Sequence, residues 1–95
     1  MTLPVNFEWN DAKAESNAAK HGISFPSATA VFLDVRCVIV PTIRLQDKEE
    51  RFKAIGAIEG KLYAIVFTIR GETCWLISAR RTNKQEDRAY GEIQA

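Results

Sequence analysis

The sequence predicts an α+β fold: an antiparallel sheet of about four to five strands, two N-terminal helices packed on one face, and a C-terminal helix. Three observations carry that expectation. Between Arg36 and Arg81 the apolar residues recur with a period of two, as in strands with one buried face. Glu59-Gly60 and Gly71-Glu72 interrupt this stretch as two-residue turn signals, so successive strands fold back as hairpins. On either side lie segments with helical spacing and capping residues. The expected order is β-α-α-β-β-β-β-α, with helices against one face of the sheet.

Taken in order, Val5-Asn6-Phe7-Glu8-Trp9 alternates and reads as a half-buried strand. Asn10 is a helix N-cap and Asp11 complements the helix dipole. The Ala-rich helix from Asp11 to Lys20 closes at Lys20-His21-Gly22, a basic last turn followed by glycine. A second helix starts at Ser24, tolerates Pro26 in its first turn and ends before Asp34. Cys37 to Val40 and Thr42 to Leu45 form a strand that Pro41 marks as an edge or a bulge. Gln46 to Glu50 is a polar loop. Strands follow over Arg51 to Ile58, Lys61 to Arg70 and Thr73 to Arg81. The last helix runs from Lys84 to Ile93, with Asn83 and Glu86 spaced as a capping box.

The 95 residues are expected to form one domain, 1–95, with 46% hydrophobic and 26% charged residues. That balance excludes disorder and low-complexity function classes. No run reaches the roughly 18 apolar residues of a membrane span. The N-terminal Met1-Thr2-Leu3-Pro4-Val5-Asn6 lacks the basic and apolar regions of a signal peptide, so a cytoplasmic domain is expected. Cys37 and Cys74 lie in apolar strand-like runs and read as buried free thiols. A single histidine and no CxxC provide no zinc cluster, so neither metal nor cofactor is expected.

Thirteen basic residues against twelve acidic ones give +1 overall, yet the hairpin register segregates charge. Around Glu59-Gly60, Phe52 faces Phe67, Ala54 faces Ile65 and Gly56 faces Tyr63. The opposite face then carries Arg51, Lys53 and Arg70. Beyond Gly71-Glu72 two registers remain open. A regular two-residue turn puts Trp75 and Arg81 on the basic face, whereas a bulge or longer loop puts Arg80 there.

Phe7-Glu8-Trp9-Asn10, Lys13, Asn17, Lys20-His21-Gly22-Ile23-Ser24-Phe25 and Val31-Phe32-Leu33-Asp34 together resemble the opening motifs of the BrnT family. Glu50-Arg51-Phe52 with Ile55-Gly56, Ile77-Ser78-Ala79-Arg80-Arg81, and Glu86, Arg88 and Tyr90 resemble its later motifs. Asn10 replaces the family's aspartate and is equally able to cap. The resemblance spans nearly the whole chain. It implies a RelE-like fold and a ribonuclease toxin of a type II toxin–antitoxin system that arrests translation. It also implies a BrnA-like ribbon-helix-helix antitoxin as partner in a heterotetramer, with operator DNA contacted only through the antitoxin.

Metal-independent RNA cleavage needs a base for the 2′-hydroxyl, cations for the developing phosphorane charge and an acid for the leaving 5′ oxygen. Arginine suits the second role because its planar fork binds phosphate oxygens in pairs and stays charged. The candidate catalytic residues are Arg80, Arg51, Arg70, Arg81, Lys53 and His21. Histidine is the residue type whose ordinary pKa lies near neutrality, which makes His21 a candidate base or acid, but a helix-capping role is favoured for it. Lys20 and Lys53 are possible bases. Tyr90 is a possible acid but is favoured as a core contact, and Glu86 is favoured as a cap. The alternative function is a non-enzymatic RelE/ParE-like protein that binds a protein or nucleic-acid target, since fold alone does not decide chemistry.

Overall fold

In the computed structural model, which describes residues 6–42 and 48–94, the local signals form the elements expected of them. Asn10 accepts a hydrogen bond from the Lys13 N–H at 3.0 Å and starts α1 (Asp11–His21) after β1 (Asn6–Trp9). Gly22, at φ 72°, ends that helix in the left-handed conformation and returns its N–H to the Ala18 carbonyl.

The second expected helix is shorter than its pattern suggests. It forms one turn, α2 (Phe25–Ala28), capped by Ser24, and then tightens into a 3-10 turn over Thr29–Leu33. Phe25, Ala28 and Val31 recur every three residues and are all fully buried, and three residues per turn is the repeat that points them the same way.

β2 (Val38–Thr42), β3 (Arg51–Ile58), β4 (Lys61–Arg70) and β5 (Thr73–Arg81) form an antiparallel meander, followed by α3 (Lys84–Gln94). The continuation of β2 to Leu45 and the first part of the expected polar loop lie at 43–47, outside the described residues. Glu59 and Gly60, at φ 51° and 79°, make the tight β3–β4 turn, and the expected pairs Phe52–Phe67, Ala54–Ile65 and Gly56–Tyr63 form.

Two expectations need correction. The sheet order is β1-β5-β4-β3-β2, and β1 runs parallel to β5, so the sheet is mixed rather than antiparallel. Alternation of Phe7 and Trp9 specifies a buried face but no direction. Direction follows from the helices, which carry the chain from β1 across the sheet to β2 at the opposite edge. The helices also do not share one face. The N-terminal helical segments cover the side carrying Phe52, Phe67 and Leu76, whereas α3 packs on β2 and β3 and brings Glu86 to the side carrying Lys53 and Arg80. Val38, Ile55 and Ala64 project to that second side and are buried, and this apolar ground requires cover.

The main core lies under the N-terminal segments. Phe32 stands 5.4 Å from Phe7 and 5.2 Å from Phe67, ring centre to ring centre, and Trp9 meets Phe25 edge-on. Gly56 permits the 3-10 turn to approach, since a Cβ there would lie 2.9 Å from Val31 Cγ1. β1 pairs with β5 only as far as Trp9 and Leu76. Further along, buried Asn17 stands in for a strand residue: its Nδ2 donates to the Ala79 carbonyl at 2.9 Å, and its Oδ1 accepts from the Ala79 N–H at 3.1 Å. No described helix is long and apolar enough to cross a membrane.

Candidate functional site

The open register of β5 is resolved by a bulge. Phe67 pairs with Leu76 but Val66 pairs with Ser78, leaving Ile77 as an extra residue. Before the bulge Trp75 shares a face with Thr68; after it Arg80 shares that face with Ala64. A two-residue turn and a bulge therefore occur together, and Arg51, Lys53, Arg70, Trp75 and Arg80 all belong to one side of the sheet. Arg81 projects to the other side, where its guanidinium lies 5.6 Å from the Tyr63 ring and its Nε donates to the Leu62 carbonyl. His21 ends α1, whose packing is also against that other side, so the structure separates both Arg81 and His21 from the remaining candidates.

Three of the four cations fall into two groups separated by about 20 Å along β4, at roughly 3.4 Å per residue from the level of Arg80 to that of Arg70. At one end Glu86 is the centre. Arg80 donates to both of its oxygens, at 2.7 and 2.8 Å, and Lys53 Nζ lies 2.7 Å from Oε2. The Asn83 N–H donates to Oε1 while the Glu86 N–H donates to Asn83 Oδ1, completing the capping box. Glu86 is only 3% exposed, against 33% for Arg80. Burial would raise its carboxyl pKa, but the bonds from Arg80, Lys53 and Asn83 outweigh burial and bring it down to about 2. The bond to Glu86 in turn holds the Arg80 guanidinium above its ordinary pKa.

At the other end Arg70 donates from Nε and Nη2 to the two Glu49 oxygens and stacks over Trp75 at 4.7 Å. Arg51 lies between the groups, one residue beyond the Phe52–Phe67 pair, next to Glu50, whose carbonyl accepts from the Thr68 hydroxyl at 2.6 Å. Two further groups are accounted for structurally. Tyr90 donates to Asp34 Oδ2 at 2.7 Å, which raises the phenol pKa, so this side chain is held as a contact between α3 and the end of the 3-10 turn. Asp34 also accepts from the Ala57 and Arg36 N–H groups, and its carboxyl falls below its usual range although burial opposes this. Burial pushes the Cys37 thiol to about 11 and the Cys74 thiol to about 12, so neither is a thiolate nucleophile near neutral pH.

The orientation of Arg80 has chemical meaning. Glu86 and the Arg81 carbonyl take its Nη1 hydrogens and one hydrogen of Nη2. The edge formed by Nε–H and the second Nη2–H has no partner among the described residues, and two parallel donors on a guanidinium match two oxygens of a phosphate. Glu86 thus fixes the fork without consuming its outer edge. Reading Glu86 as a cap captured half of its role. The missing half depended on the bulge, and the only local hint was an arginine preceding the capping box. Among the described residues, no group of three or more His, Cys, Asp and Glu side chains could hold a metal ion. A family described as the ribonuclease toxin BrnT, of type II toxin–antitoxin systems, matches residues 9–86 of the chain. No curated protein matches it.

Proposed function

This chain belongs to the BrnT family of type II toxin–antitoxin ribonuclease toxins, and from that premise we propose that it cleaves RNA on the sheet face bearing Arg51, Lys53, Arg70 and Arg80, without a metal ion. The single observation that carries this reading is the Ile77 bulge, which turns Arg80 towards the other three cations. In the proposed step the 2′ oxygen bonds to phosphorus as its proton passes to a solvent water, the bond from phosphorus to the 5′ oxygen breaks, and the 5′ oxygen takes a proton back from solvent. The products are a 2′,3′-cyclic phosphate and a 5′-hydroxyl. The outer edge of Arg80 would bind the non-bridging oxygens as negative charge gathers on them. Lys53, ion-paired to the same carboxylate, would add a second cation beside the leaving group. Arg51 and Arg70 would hold flanking phosphates.

The consequence is arrested translation in the cytoplasm until an antitoxin covers the face. A BrnA-like ribbon-helix-helix partner with an acidic, amphipathic segment would complement the cations and the apolar Val66 and Trp75 between them, and its dimer would join two toxins in a heterotetramer. Incubating the protein with single-stranded RNA in excess EDTA tests the chemistry. Cleavage is expected, with Arg80→Lys, which keeps a cation beside Glu86 but loses the fork, lowering the rate about 100- to 1,000-fold, as loss of a transition-state donor does, in a protein that still unfolds cooperatively at a somewhat lower melting temperature. Intact RNA together with retained toxicity would instead favour the non-enzymatic binding alternative.

A further inference from the structure

Beyond the cations, the same face ends at the β1 edge in a shallow pocket of about 500 Å³ lined by Phe7, Glu8, Trp9, Asp11 and Trp75. The sheet register explains its composition. Glu8 pairs with Trp75 and Trp75 with Thr68, while Thr68 and Arg51 each lie one residue beyond the last β3–β4 pair, Phe52–Phe67. One row across the sheet therefore reads carboxylate, indole, hydroxyl, guanidinium. Arg70 reaches the indole from β4, and the pocket opens on its β1 side.

The geometry points to a nucleobase subsite in which Trp75 stacks against a base and Glu8 accepts its N–H donors, guanine being the base whose adjacent N1–H and N2–H groups suit one carboxylate. This rests on the proposed ribonuclease reading and names its substrate more closely. Three observations favour it over a cationic side chain of a protein. The indole already has a cation in Arg70, whereas no aromatic ring pairs with it among the described residues. Arg51 lies two strands from Trp75, about 10 Å, a span that a nucleotide covers between base and phosphate. Glu8 and Asp11 repel phosphate, so they would hold the backbone towards the cations while leaving the base at the acidic end. Carboxylates read amino groups on bases in this way, and aromatic side chains supply sequence-tolerant stacking.

The test uses 2′-O-methyl hexaribonucleotides, which resist cleavage, composed of uridine with a single guanine or a single adenine. Fluorescence anisotropy with the full chain should give tighter binding of the guanine oligomer. Trp75→Ala should weaken both oligomers roughly 5- to 100-fold, and Trp75→Phe should restore most of the loss. Glu8→Gln should remove the guanine preference while leaving adenine binding unchanged. Equal binding by wild type and Trp75→Ala overturns the subsite, and the ribonuclease reading stands if RNA is still cleaved. If the oligomer affinities ignore both variants while N-acetylarginine amide binds in a Glu8-dependent manner, the pocket takes a protein side chain and the inference is wrong. Should Trp75 and Glu8 behave as expected but Arg80→Lys cleave normally, the subsite stands and the placement of the chemistry falls. Absence of both oligomer binding and RNA cleavage overturns both.

Discussion

Replacing Glu86 by Gln should destabilise the protein by about 3 kcal/mol at pH 7, and most of that difference should vanish in acid. Glu86 is almost wholly buried and accepts from Arg80, Lys53 and the Asn83 N–H. Glutamine keeps the shape and the capping acceptor but removes the negative charge from between two cations. Breaking a buried pair from one side costs about 3–5 kcal/mol. The cations here are partly exposed and regain water, which places the cost at the lower end. The titration gives the same size: a carboxyl moved from 4.5 to about 2 stabilises the folded state by about 3 kcal/mol, at roughly 1.4 kcal/mol per unit. Because the folded pKa is the lower one, this contribution is complete above the unfolded value and is lost as pH falls towards 2. At pH 3 less than half should remain. Urea titrations of wild type and Glu86→Gln at pH 7 and pH 3 measure both quantities, with other acid-titrating groups cancelling in the difference. A stability gap of equal size at the two pH values would refute the reasoning, since it would mean that Glu86 acts through shape alone.

Asn17→Ala should cost about 2–4 kcal/mol, because it leaves the Ala79 N–H and carbonyl buried beside a vacated space; thermal unfolding reads it, and Asn17→Asp, which cannot donate to the carbonyl, should not rescue it. Gly56→Ala should lower stability by about 1–3 kcal/mol, since its Cβ would press on both the side chain and the carbonyl of Val31, and the additional change Val31→Ala should recover part of that loss. His21→Ala should cost roughly 0.3–1 kcal/mol through the end of α1 and change RNA cleavage less than twofold; a stable variant with cleavage down a hundredfold would make His21 catalytic.

Much of this protein was legible from neighbouring residues alone. Asn10 and Gly22 bracket α1 because a side-chain acceptor and a left-handed glycine satisfy helix ends whatever surrounds them. Glu59-Gly60 turns β3 into β4, and strict alternation then separates Phe52 and Phe67 from Arg51 and Lys53. Such features depend on sterics and hydrogen bonds within a few residues. Three others were decided by the tertiary structure. β1 lies parallel to β5 because the helices carry the chain across the sheet, and Phe7 and Trp9 would be buried equally well in either direction. α3 crosses to the second face because Val38, Ile55 and Ala64 make apolar ground there that meets α3 only after the sheet has formed. Ile77 bulges where β5 must bury Leu76 and Ala79 on one face although they lie three residues apart. A regular strand cannot place residues three apart on the same side, so one extra residue reverses the alternation. That reversal, settled by burial in the core, selects Arg80 over Arg81 for the cationic face.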